Sequence, residues 1–230
     1  MPVLLTTLSL MAGCIPAKIG ETKIESESLE LKGAKKVRAE LKIVVGELRI
    51  SGGAKKLLEA DFIYNVPSFK PQVKYEVQGD EGVLTVRQPE TSRSGGSGAR
   101  NEWNLTLNDK VPLDLRVECG VGTSNFELGS LSLENLDIQT GVGDTTVELL
   151  GDWKKDLHAS IKGGVGKATL RLPGNVGVHV ESEKGIGSVS ARGLKKEGNT
   201  YTNEAYGKSK VTMNIQVQAG IGEIQLEQVD

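Results

Sequence analysis

Five times in the second half of this chain, two glycines enclose a single β-branched residue. The triplets are Gly120-Val121-Gly122, Gly141-Val142-Gly143, Gly164-Val165-Gly166, Gly185-Ile186-Gly187 and Gly220-Ile221-Gly222. Their first glycines are separated by 21, 23, 21 and 35 residues. Self-similarity at such a period marks repeated units that bury a face only by stacking on one another. The flanks alternate. Before the glycines, Leu113/Leu115/Val117, Leu157/Ala159/Ile161 and Met213/Ile215/Val217 fall on one side, with Asp114, Arg116, Lys162 and Gln216 on the other. After them the apolar side resumes at Thr145/Val147, Ala168/Leu170, Val189/Ala191 and Ile224/Leu226. Alternation of period two on both sides predicts strand, glycine bend, strand, with one face buried. A degenerate sixth copy lies upstream in "VRAELKIVVGELRIS", where Gly46 matches the second glycine and Val45 the enclosed residue.

The triplets do not fit a phosphate loop. That loop needs backbone N–H groups converging on a helix N-terminus, and each triplet here is followed by a strand pattern. "GGVGKAT" (163–169) lacks the spacing, with Ile161 and Ala168 at the motif's first-glycine and hydroxyl positions. Glycine instead supplies corner geometry free of a Cβ clash. The enclosed valine or isoleucine is expected to point inward and plug the bend. On that reading Val142→Asp costs several kcal/mol. Cys119, beside the first triplet, reads as a small buried thiol.

Helical periodicity is absent except for one possible turn in "AKKLLEADF", ended by Asn65-Val66-Pro67. Strands are expected around Phe62–Tyr64, Val73–Val77, Leu84–Val86 and Trp103–Leu107, and "PETSRSGGSGARN" (89–101) reads as a loop. Hydrophobic residues are only 37% and aromatics 4% of the chain, which suits a thin apolar layer. The expectation is an all-β fold of stacked strand–Gly-x-Gly–strand arches, a β-solenoid-like or two-sheet sandwich architecture. Four segments are expected: a lipoprotein-type signal over 1–14, a polar tether over 15–33, an N-terminal β domain over 34–110 and a Gly-x-Gly repeat domain over 111–230.

The signal reading rests on "MPVLLTTLSLMAGC". Small residues before Cys14 fit a lipobox, although no Lys or Arg precedes the cysteine. The segment is too short to span a bilayer, which needs about 20 apolar residues. Cys14 is therefore the expected lipid anchor, against the plainer reading of a disordered apolar N-terminus. That leaves Cys119 with no disulfide partner. With 28 Lys+Arg against 30 Asp+Glu, no basic excess points to nucleic acid.

Candidate chemistry is sparse. His158 and His179 each lie six residues before a triplet and, 21 residues apart, are expected as stacked neighbours. Their column also holds Asp114, Asn135 and Asn214. It reads as a solvated polar ladder rather than a metal site, because spacing fixes no third ligand. Glu127, Glu148 and Glu227 share a column with Arg171 and Arg192, read as surface electrostatics. No hydrolase, zinc or redox motif appears. No catalytic residue, cofactor or metal site is expected. The insert at 193–210 accounts for the long spacing and carries Tyr201 and Tyr206 among lysines. It reads as a hairpin capping the last rung, with the two tyrosines as the alternative contact for a partner.

"AELKIVVGELRISGGAKKLLEADFIYN", "LTVRQPE", "NEWNLTLNDKVPLDLRVECGVG" and the later Gly-x-Gly units resemble bacterial toast-rack domains. These are related to adhesin-like domains and to the extracytoplasmic part of regulators that respond to cell-wall antibiotics. The resemblance covers about residues 34–230 and implies stacked β-strands. It brings no catalytic or binding residues to carry over. Regulator-type members usually carry transmembrane helices; here a lipid at Cys14 would take their place. The expected role is a non-enzymatic, lipid-anchored envelope domain on the extracytoplasmic face of a bacterial membrane, acting as an interaction or sensing scaffold towards a protein or cell-wall polymer. The alternatives are a surface adhesin or structural spacer and, less favoured, an envelope-glycan enzyme.

Overall fold

The computed structural model describes residues 19–89 and 96–229. Cys14 and the signal reading lie outside them. The strands in chain order are β1 (Lys23–Leu29), β2 (Lys36–Ala54), β3 (Leu58–Tyr64), β4 (Gln72–Gln78), β5 (Glu81–Arg87), β6 (Asn101–Asn108) and β7 (Leu113–Glu127). They continue with β8 (Leu133–Val142), β9 (Thr145–Glu148), β10 (Leu157–Pro173), β11 (Gly177–Arg192), β12 (Lys195–Glu197), β13 (Thr200–Thr202) and β14 (Thr212–Val229). A single 3-10 turn, Pro67–Phe69, is the only helix among the described residues. In "AKKLLEADF" the residues from Leu58 onward form the start of β3 rather than a helical turn, because Leu58, Ala60 and Phe62 alternate into the core.

The long strands β2, β7, β10, β11 and β14 each run through a glycine corner and contribute to two sheets. β8 and β9 together form one further rung, interrupted at Gly143-Asp144. Before the corner, β2, β7, β8, β10, β14 and β11 pair in parallel in that order. β5 and β4 extend this sheet at one end, β13 and β12 at the other. After the corner the order is β1, β3, β6, β2, β7, β9, β10, β14, β11. In β7 the buried side chains are Leu113, Leu115, Val117 and Cys119 before the corner and Ser124 and Phe126 after it. One continuous apolar core results, running from Ala34 to Leu226.

Two expectations change. β1 lies within the segment read as a tether and pairs along its length with β3. It is tied there by Glu25, which accepts from Tyr64 Oη at 2.6 Å and from Lys70 Nζ. Lys70, then Tyr64, hold the Glu25 carboxyl below its ordinary range. Burial, then the Glu25 contact, push the Tyr64 phenol up to about 12. At residue 110 there is no seam: β2 and β7 pair over their whole bent length, so both expected β segments share the core.

The topology holds crossings that sequence order conceals: β6 inserts between β3 and β2. β14, the last strand, inserts between β10 and β11. The fifth triplet therefore stacks on the third, and the fourth stacks on the fifth.

Candidate functional site

The glycine corners form a spine. The second glycines have φ between +135° and +144° at Gly122, Gly143, Gly166, Gly187 and Gly222, a region open in practice only to glycine. Close stacking adds a second constraint. A Cβ on Gly122 would lie 1.7 Å from the Gly46 carbonyl oxygen, and one on Gly143 would lie 1.8 Å from that of Gly122. The first glycines meet the same obstacle at 2.3 Å for Gly120, Gly141 and Gly164, 2.4 Å for Gly185 and 2.6 Å for Gly220. The backbone of the adjacent rung thus leaves no room for a Cβ at either glycine of a corner.

The exposure of the enclosed residues overturns the plug. Val121, Val142, Val165, Ile221 and Ile186 are 45–73% exposed and stand in one row along the outside of the bend. At the first corner Cys119 and Ser124 meet at 3.3 Å on the inner side, and the enclosed side chain is left the convex side. Val142→Asp is accordingly expected to shift stability by less than about 1 kcal/mol, as for other surface changes. Thermal unfolding of the variant checks this; a loss of several kcal/mol would place Val142 in the core.

At the first end of the spine a polar cluster replaces the missing rung. Gln88 Oε1 accepts from the backbone N–H of Val44 at 2.9 Å and of Val45 at 3.2 Å, and from Asn101 Nδ2 at 3.0 Å. Asn101 Oδ1 accepts from Trp103 Nε1. Asn108 and Asn203 play comparable parts elsewhere. Asn108 donates to the carbonyls of Ala54 and Lys56 and accepts from the N–H groups of Lys110 and Val111. Asn203 donates to Pro173 and Val176 and accepts from Val178 N–H. Sequence reasoning missed all four residues. Only Asn108, in the turn-like "NDKVP", carried a local signal.

Cys119 is buried and accepts from Ser124 Oγ at 3.3 Å. Burial pushes its thiol up to about 11 from 9.0, outweighing the Ser124 contact. The neutral thiol is thus favoured in the folded state. Its contribution is complete below pH 9 and is lost as pH rises through 11. Maleimide labelling at pH 8 is expected to follow unfolding, not native exposure; immediate labelling of folded protein would contradict the burial.

The outward face of the first sheet carries a groove of about 820 Å³. Two columns flank it. Arg38, Asp114, Asn135, His158, Asn214 and His179 follow one register line, and Glu40, Arg116, Asp137, Ser160, Gln216 and Glu181 the other. The histidines are not adjacent: Asn214 of the inserted β14 separates them. Asn135 donates to Asp114 at 2.6 Å, while His179 stacks on Tyr206 at 5.2 Å between centroids. Four carboxylates face two guanidinium groups across these columns, and Lys162 also lines the groove, so its charge is close to balanced. Among the described residues no cluster of three or more His, Cys, Asp or Glu is placed to hold a metal ion.

The insert forms a β12–β13 hairpin against β11. Tyr201 is buried at 3% exposure and belongs to the core, whereas Tyr206 is exposed. Of the two tyrosines read as contacts, only Tyr206 reaches the surface. In the charged column, the insertion of β14 places Glu227 between Arg171 and Arg192. Arg171 pairs with Glu148, and Arg192 with Glu227 at 3.7 Å.

A two-sheet β-solenoid creased along a glycine spine, with open polar surfaces, is the class that this geometry defines. Residues 18–171 match the family model described as the N-terminal domain of toast-rack, and the chain belongs to that family. Residues 120–226 match the C-terminal domain of the cell-wall-active antibiotics response protein LiaF. Among solved structures, a candidate cell adhesion protein from Clostridium sporogenes is 38% identical, with a TM-score of 0.88, over 91% of this chain and 100% of that one. A candidate adhesin from Bacteroides fragilis aligns over 91% of this chain and 97% of that one at 11% identity and a TM-score of 0.30. No curated protein matches. These are cell-envelope domains of the adhesin-like and stress-regulator kinds.

Proposed function

We propose that this protein is a non-enzymatic interaction scaffold of the cell envelope, lipid-anchored through Cys14 on the extracytoplasmic side and serving to sense or hold a partner. The observation that carries the reading is the pair of polar columns along the groove. His158, Ser160, Asn214 and Gln216 make no side-chain hydrogen bond to another described residue and line the groove with donors and acceptors. A side-chain set built for chemistry would instead converge on one point with mutually oriented groups. The family matches to envelope-stress and adhesin-like domains support the location.

A photo-crosslinking residue at Ser160, with one at Val142 as control, tests the role in intact cells. A membrane protein crosslinked from position 160 and not from 142 supports the sensing scaffold. Retention of cells on polymer or host surfaces, lost on filling the groove, would favour the adhesin. Turnover of peptidoglycan fragments would overturn the non-enzymatic reading. Mass spectrometry of the membrane-extracted protein tests the anchor, which an unmodified N-terminus in soluble extract would refute.

A further inference from the structure

Two bent sheets with open ends have four free edges, and their chemistry differs. β1 carries Lys23, Glu25 and Glu27, each aligned with a buried residue of β3 and so turned towards the core side. β4 carries Lys74 and Glu76, which pair with each other at 3.0 Å. β12 is three residues long and fully charged but for its backbone, Lys195-Lys196-Glu197. Charges at alternate positions and short length are how natural sheets keep an edge from recruiting another strand. The fourth edge is the part of β11 after its corner. From Gly185 to Ala191 it reads Gly-Ile-Gly-Ser-Val-Ser-Ala, with no charge and no proline. β14 pairs it on one side, and β13 pairs β11 only over His179–Glu181. Its other side has no strand among the described residues.

The first sheet extends two strands beyond β11, but the second stops at it. The inward positions of this edge show the consequence. Val189 and Ala191 align with Ile224 and Leu226 of β14, which are fully buried. Val189 is only partly covered and Ala191 is exposed. Ile186, at 73%, is the most exposed large hydrophobic residue among those described.

We infer that the β11 edge, residues 185–192, is a strand-addition site that takes an extended segment of a partner protein, with large apolar residues at alternate positions and a carboxylate opposite Arg192. Strand addition supplies affinity through main-chain hydrogen bonds and specificity through alternate side chains. The existing columns dictate the required sequence. The inward columns end at Val189 and at the small Ala191, so the incoming strand must supply bulk there. The charged column runs Glu127, Glu148, Arg171, Glu227, Arg192; its last four members alternate in sign, and an acid continues that alternation. The chain's own rungs carry this signature at the same register, as Phe126-Glu127, Val147-Glu148 and Leu226-Glu227. Charge complementarity also argues against a two-fold pairing of two β11 edges centred on Ser188, which would set Lys184 against Arg192 of the second copy. The site is separate from the groove and does not depend on it.

The test uses a capped peptide with the sequence of residues 222–229, Gly-Glu-Ile-Gln-Leu-Glu-Gln-Val, added to the folded protein. At ten times its Kd, backbone amides within 186–192 are expected to exchange about tenfold more slowly, with no change at β1 or β4. Arg192→Glu is expected to weaken this peptide and to bind one carrying Lys at the position opposite 192. Unchanged exchange at 186–192 overturns the inference. So does equal binding of the acidic and basic peptides, or a dimer formed through this edge without peptide. Failure here leaves the photo-crosslinking result at Ser160 unaffected.

Discussion

Gly122→Ala is expected to destabilise the protein by about 4 kcal/mol, combining roughly 1–3 kcal/mol of backbone strain with roughly 1–3 kcal/mol of forced displacement in a packed region. Gly122 has φ +144°, and its added Cβ would lie 1.7 Å from the Gly46 oxygen and 2.8 Å from the Gly46 carbon. Both atoms are backbone, in a ladder held on each side by further rungs, so relief requires moving the strand. Gly79→Ala is the control. That residue has φ +60° and no atom within 4 Å of the new Cβ, so only the conformational cost of about 1–2 kcal/mol applies. Denaturant unfolding of the two variants separates the effects. Equal losses would mean that φ alone, and not close stacking, makes glycine necessary at the spine.

Removal of residues 212–230 is expected to leave 177–203 unfolded while the preceding rungs persist. β14 contributes Met213, Ile215, Val217, Ile224 and Leu226 to the core, each no more than 1% exposed. At about 1.5–3 kcal/mol per buried side chain, their loss amounts to roughly 10 kcal/mol, comparable to the whole stability of a typical domain. The loss is not evenly shared. β11 pairs with β14 along its length and otherwise only with the three-residue β13, so it loses its place altogether. β10 keeps β8 and β9. Hydrogen exchange on the truncated chain is expected to show protection through Pro173 and none beyond it. Protection surviving in 177–192 would mean that β11 can close directly onto β10. The match of residues 18–171 to the toast-rack N-terminal domain ends at this same border.

The strands, their bent units and the shared apolar layer were readable because alternation reports local burial, and burial here follows backbone pleat. The enclosed residue of each triplet was misread for a related reason. Continuing the alternation of Leu115, Val117 and Cys119 puts Val121 inside, but the fold turns at that point, Ser124 meets Cys119 on the inner side, and Val121 is left on the convex side. Tyr201 and Tyr206 looked equivalent in a lysine-rich insert. Pairing of β13 with β11 turns one into the core and leaves the other stacked on His179. Asn203 satisfies three backbone groups from two other segments, a role with no trace in its neighbours.

By itself, the sequence determined that this chain folds as glycine-cornered β rungs burying one face, since period-two burial and Cβ-free corners are properties of the strand itself. The order of the rungs, and everything that depends on it, was decided by tertiary structure alone. Spacing of 21 residues made His158 and His179 neighbours on paper. The insertion of β14 put Asn214 between them, brought Glu227 between Arg171 and Arg192, and left β11 at the edge with an uncharged stretch from Gly185 to Ala191. Parallel rungs of similar length and pattern can pair in more than one order. The choice rests on which arrangement buries the most apolar surface and pairs the charges across all rungs together, a sum that no single repeat contains.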